Sequence, residues 1–312
     1  MAAFNVTPSD PSIFILTGIP GLEAAHIWIS IPFTTFYIIS LMGNFMLLFA
    51  VGRERTLHKP MYLLLCMLAL TDITSPTVVV PKELCIFWFN LKGITVAGCL
   101  TQMFFLNTSA TLVTMAFDRY VAICNPLRYA TILSNARIAK LGIVCLIRSV
   151  LFILPLTLLL SQQPFCANRI IPHTQCEYIA VEKMACGDIT VPRTYGLVLL
   201  CVIFGFDLTL IALSYGLIIR AVLRISSKKS HHKALNTCTA HICVMLTYYT
   251  PGLFSNLTHL FGQGIAPYVH IILADLYLLI PPMLNPIIYG VKTKEFSEKV
   301  GKCMWGESIS PR

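Results

Sequence analysis

Asp118 and Arg119 stand side by side at the end of an apolar run long enough to cross a membrane. Charges at such a boundary are costly, so an acid and a base placed together there mark either a functional site or an anchored helix end. Other charges lie inside apolar runs: Asp72, Lys82, Arg148, Asp207 and Asp275. Lys82 and Asp275 fall at similar depth near the outer ends of two runs, and a contact between them is expected. Arg148 and Asp207 suggest no partner. Cys238, His241 and Cys243 resemble a metal cluster on paper, but spacings of three and five do not bring all three to one helix face. Phe261-Gly262-Gln263-Gly264 lacks the third glycine and the preceding strand of a nucleotide loop. No nucleophile, base and orienting acid stand at a recognised spacing. An enzyme is not expected, and neither is a metal or cofactor.

The elements that must position these residues are membrane helices. The chain is 56% hydrophobic and 12% charged, against about 25% charged in an ordinary soluble domain. Apolar runs recur at about 28–51, 61–88, 97–124, 138–162, 195–223, 236–260 and 268–290, each reaching the roughly 20 residues a spanning helix needs. The expected fold class is an all-α membrane protein, a bundle of seven transmembrane helices. Pro76, Pro81, Pro155, Pro251, Pro281 and Pro282 interrupt the runs, which membrane helices tolerate when neighbours satisfy the freed carbonyls.

Residues 1–26 read as an extracellular tail without a cleavable signal, 27–291 as the seven-span domain and 292–312 as a cytoplasmic tail. With the first tail outside, 17 of the 23 Lys and Arg residues fall on the cytoplasmic side, as the positive-inside rule requires. That bias accounts for the net charge of +9 without nucleic acid as a partner. Asn5-Val6-Thr7 is a glycosylation sequon on the outer side. The long loop at roughly 163–193 carries Cys166, Cys176 and Cys186 and lies outside with Cys99; four cysteines allow three pairings. The segment 292–300 reads as a short amphipathic helix on the inner membrane face, with Cys303 beyond it. A transporter or channel would show related halves or charged pore-lining rows, and neither is visible.

Several stretches together resemble the olfactory receptors, within the rhodopsin-like G-protein-coupled receptors. They are Gly43-Asn44, Leu57-His58-Lys59-Pro60-Met61-Tyr62, Leu68-Ala69-Leu70-Thr71-Asp72, Met115 to Pro126 around Asp118-Arg119-Tyr120, Ser214-Tyr215, Lys233 to Cys238, and Pro282 to Tyr289. Pro20-Gly21-Leu22-Glu23 and Tyr289 to Lys294 are similar to the class I, fish-like branch. The match runs from the tail to about Phe296.

The resemblance implies a switch in which Arg119 is held by Asp118 at rest and turns toward Tyr215 and His241 on activation, with Tyr249, Asn285 and Tyr289 transmitting the change. It implies Cys99–Cys176 and Cys166–Cys186 disulfides and a candidate sodium site at Asp72 with Thr108; many class I members carry an acid where Thr108 stands. Odorants in this family bind between spans three, five and six. By position the lining is Gln102, Phe105, Leu106, Ile153, Leu156, Tyr178, Leu200, Leu253, Asn256, Leu257 and Leu260. Class I receptors are associated with carboxylic acids held by a base near the outer end of span six, where this chain has Leu260. The expected ligand is a carboxylic acid or a neutral amphiphile hydrogen-bonded by Asn256 or Gln102. The implied partners are an odorant, membrane lipid and a heterotrimeric G protein of the stimulatory, olfactory type that raises cyclic AMP. A non-olfactory rhodopsin-like receptor for a small metabolite is the alternative.

Overall fold

The computed structural model describes residues 12–108, 134–165, 169–222 and 266–292, together with Thr239, Ile242 and Leu246. The order is β1 (Ile13–Leu16), α1 (His26–Arg53), α2 (Pro60–Phe89), β2 (Gly93–Thr95), α3 (Val96–Leu106), α4 (Asn135–Ser161), β3 (Ile170–Ile171), α5 (Tyr178–Glu182), α6 (Thr190–Val222) and α7 (Pro267–Lys292). Glu23–Arg53, Tyr62–Phe89, Asn135–Ser161 and Tyr268–Ile288 are each long and apolar enough to cross a membrane. They coincide with the first, second, fourth and seventh expected spans. Ile31, Met42 and Phe49 on α1 and Ile143, Ile147 and Leu151 on α4 stay exposed. Such apolar stripes would be a liability in water and are the required surface in lipid.

The helices start where the sequence supplies caps. Thr95 Oγ1 accepts from Gly98 N at 3.0 Å to open α3, and Ser134 Oγ accepts from Arg137 N at 3.4 Å to open α4; each satisfies an amide with no helical partner. α2 ends on Asn90, whose φ of 55° turns the chain out of the helix.

Proline also determines how α1 meets α7. Pro286 has no N–H, so the Pro282 carbonyl one turn earlier loses its helical partner. Asn44 Nδ2 of α1 donates to that carbonyl at 2.9 Å and to Ser40 O at 2.9 Å. Beside it, a Cβ on Gly43 would lie 2.7 Å from Pro286 Cγ, so only glycine admits the proline ring there. Leu47, Ala50, Leu65, Leu68 and Ile138 continue this packing as a first core of α1, α2 and α4.

A second core lies at the end of the bundle that carries β1. There the segment read as an extracellular tail contributes a buried strand. β1 is the centre of a three-stranded sheet, antiparallel to β2 with Phe14 opposite Ile94, and parallel to β3 with Ile15 opposite Ile170. Phe14 and Leu16 are fully buried, and with Phe33, Ile86, Met103, Ile171 and Leu279 they weld tail, loops and helix ends together. His26 fixes the entry to α1: its Nε2 lies 3.3 Å from Ile19 N, and its ring packs 4.8 Å from Phe87.

Candidate functional site

The loop of residues 169–189 forms a lid over α2, α3 and α7 at the end of the bundle that carries β1. Its centre is the Cys99–Cys176 disulfide, which joins α3 to the lid across 77 residues with an S–S distance of 2.01 Å. Cys186 is disulfide-bonded as well; Cys166, its partner by family resemblance, lies outside the described residues, as does Asn5.

Gln102, buried on α3, braces the same point. Its Oε1 accepts from Cys176 N at 2.8 Å and its Nε2 donates to Val78 O of α2 at 3.0 Å. Both ends of this amide, expected to face a ligand, are therefore engaged by the lid and by α2. We expect Gln102→Ala to cost about 1–3 kcal/mol by stranding the Cys176 amide. Gln102→Glu, which keeps that acceptor and loses the donor to Val78, should fall between Gln102→Ala and wild type. Thermal melting of the purified receptor checks the order.

Beneath the lid an apolar cluster joins α3, α4, α5 and α6. Ile153, Leu156 and Leu199 are its buried members, with Phe104, Phe152, Tyr178 and Tyr195 packed against them. Of the expected lining it gathers Ile153, Leu156 and Tyr178. Leu106 and Leu200 are half-buried outside it, and Phe105 is exposed. Phe104, Tyr195 and Leu199 were not anticipated from the sequence. Phe104 and Leu199 are direct neighbours of Phe105 and Leu200, and one residue turns a helix by about 100°. Leu253, Asn256, Leu257 and Leu260 lie outside the described residues.

Tyr178 roofs the cluster. Its hydroxyl donates to Pro192 O at 2.7 Å, and its ring lies so close to Gly196 that a Cβ there would sit 2.9 Å from Cε1. Burial, reinforced by nearby Glu182, pushes the Tyr178 phenol well above its ordinary range, so it remains a hydrogen-bond donor. Glu182 Oε1 accepts from Arg193 Nε at 2.7 Å, tying the lid to the start of α6. Asp188 Oδ1 accepts from Thr190 N at 2.9 Å, and its hydrogen bonds to Thr190 hold this carboxyl below its ordinary range.

The expected Lys82–Asp275 pair does not form. Lys82 Nζ donates to the carbonyls of Leu91 at 2.7 Å and Gly93 at 2.5 Å. Its flexible stem carries the ammonium out to the loop, where it remains partly solvated. Asp275 Oδ1 instead accepts from Thr174 Oγ1 of the lid at 2.7 Å, and its other neighbour is Glu83.

Farther from the lid, Asn285 Nδ2 donates to Asp72 Oδ2 at 2.7 Å, both side chains being buried. The oxygens left for a sodium ion are those of Asp72 and Asn285 Oδ1, which has no partner among the described residues. Thr108 Oγ1 donates to Phe104 O at 2.8 Å, which leaves its lone pairs to accept. Tyr215 is buried on α6 and Arg148 is half-buried on α4. Asp118, Arg119, His241 and Tyr249, and the side chains of Asp207 and Tyr289, lie outside the described residues.

Comparison with known proteins places these features in a family. The model described as "Olfactory receptor" matches residues 33–306. The chain is 48% identical to olfactory receptor 52N2 of Homo sapiens over 316 residues, covering 99% of this chain and 98% of that protein. It is 49% identical to Homo sapiens olfactory receptor 52B2 over 305 residues, covering 96% and 94% respectively.

Proposed function

This chain belongs to the olfactory receptor family, a family of receptors and not of enzymes, and from that premise we propose how it works. It is a class I odorant receptor of seven spans in the plasma membrane, with its first tail outside and an inner amphipathic helix at 292–300. It binds a small organic molecule in the bundle and activates a heterotrimeric G protein of the stimulatory, olfactory type, raising cyclic AMP. Arg119, released from Asp118, opens the inner cleft with Tyr215, His241 and Tyr289. Membrane lipid meets the basic stretch Arg220 to Lys233.

The observation that carries the ligand reading is the apolar cluster of Ile153, Leu156 and Leu199 roofed by Tyr178 beneath a disulfide-pinned lid. We read this cluster as the apolar wall of the ligand site, and sites walled in this way take apolar ligands oriented by few polar groups. Around it the polar groups are committed: Gln102 to Cys176 and Val78, Tyr178 to Pro192, Arg193 to Glu182, and Lys82 to the loop carbonyls. With leucine at 260 and these groups committed among the described residues, Asn256 is left to orient the ligand. The ligand is therefore a neutral amphiphile.

A panel pairing carboxylic acids with alcohols, ketones and esters of equal length tests this. Wild type should respond to neutral members, and Leu260→Arg should shift preference toward the acids by tenfold or more, about 1.4 kcal/mol. A wild-type response confined to acids would sink the neutral-ligand reading.

A further inference from the structure

Glu83 of α2 and Asp275 of α7 are both fully buried, and the switch and the pocket use neither. Each reaches the other and Thr174 of the lid. The Thr174 hydroxyl has one hydrogen, and it goes to Asp275 Oδ1 at 2.7 Å. Both oxygens of Glu83 and Asp275 Oδ2 receive no hydrogen from any N–H or hydroxyl among the described residues. Two carboxyl groups offer only acceptors unless a proton sits between them. Two bare charges at this distance, away from water, repel strongly and have no compensation.

We propose that Glu83 and Asp275 form a proton-binding site that locks the lid, through Thr174, to the outer ends of α2 and α7. The occupant is a proton and not a metal ion. The described residues contain no group of three or more His, Cys, Asp or Glu side chains placed to hold one, whereas one shared proton joins Asp275 Oδ2 to one oxygen of Glu83 and removes one of the two facing charges. A deprotonated pair would push α2 and α7 apart beneath the lid segment held by Cys99–Cys176.

Other charged and titratable groups surround the pair. Glu177 of the lid faces Asp275 and adds negative charge. His173 lies with its Nε2 3.8 Å from Glu177 Oε2 and its Nδ1 accepting from Gln175 N at 3.2 Å. α1 carries His26 and Tyr37, α2 carries Lys82, and α7 carries His270 and Tyr277. The test must separate the pair from these, and an isosteric amide does so. Glu83→Gln donates to Asp275 through its own N–H and needs no proton.

The sign follows from proton counting. The folded pair keeps a proton that two solvated carboxyls release above about pH 5. The folded state therefore binds more protons than the unfolded one, and stability falls as pH rises. Thermal melting of the full-length receptor in lipid nanodiscs, from about pH 5.5 to about pH 8.5, reads this without any odorant. Wild type should lose roughly 5 °C more than Glu83→Gln across that range. Asp275→Asn, read the same way, should also be the flatter. Replacing sodium by choline should leave all three unchanged. Equal pH slopes in wild type and the amide variants would overturn the proposal, as would a melting shift that follows sodium and not pH.

Discussion

Cys176→Ser should melt roughly 5–15 °C below wild type and reach the cell surface poorly. The disulfide closes a 77-residue separation between α3 and the lid, and loss of such a link typically costs about 2–5 kcal/mol. The effect should lie at the upper end, because the anchors around Cys176 depend on one another. The Cys176 amide donates to Gln102, Thr174 docks on Asp275, and Ile171 pairs with the buried strand β1. The single variants Cys99→Ser and Cys176→Ser and the double variant should be nearly equal, since either removes the whole bond. Additive losses in the double variant would show that the two cysteines act separately.

The second large effect is expected at the contact of α1 with α7. Gly43→Val should be the most damaging substitution in α1, costing about 1–3 kcal/mol or more. Its Cβ would meet the rigid Pro286 ring at 2.7 and 3.0 Å, and neither backbone can yield without separating the helices. Asn44→Ala acts at the same contact by another route, leaving the Pro282 carbonyl freed by Pro286 without its donor. A loss of about 1–3 kcal/mol is expected there. The two should be less than additive, because either one loosens the same interface. Thermal melting of the four proteins of this cycle decides it, and wild-type melting in Gly43→Val would refute the close approach.

The sequence revealed what depends on composition along the chain and concealed what depends on rotation about a helix. Apolar length marks out α1, α2, α4 and α7 within a few residues. Asp72 and Asn285, named separately for the sodium site and the switch, meet in the bundle. The expected Lys82–Asp275 contact failed although the depth was right, since it is Glu83 of α2 that faces Asp275. The rotation was not readable: Glu83 takes the place expected for its neighbour Lys82, Phe104 the place of Phe105, and Leu199 that of Leu200. Adjacent residues share depth and differ by about 100° of azimuth, which only the packed bundle settles. Strand β1 escaped notice for a different reason. Four apolar residues in a tail show no pairing until β2 and β3, distant in sequence, are brought beside them.

The central claim is ligand-driven receptor signalling. The most direct measurement is cyclic AMP in cells expressing wild type or Arg119→Ala, matched for surface density, against the same panel of acids and neutral compounds. A rise with neutral ligands in wild type that disappears in Arg119→Ala is the predicted result. Equal responses in the two proteins, or silence of surface-expressed wild type toward every compound while a known odorant receptor responds in the same cells, would contradict it.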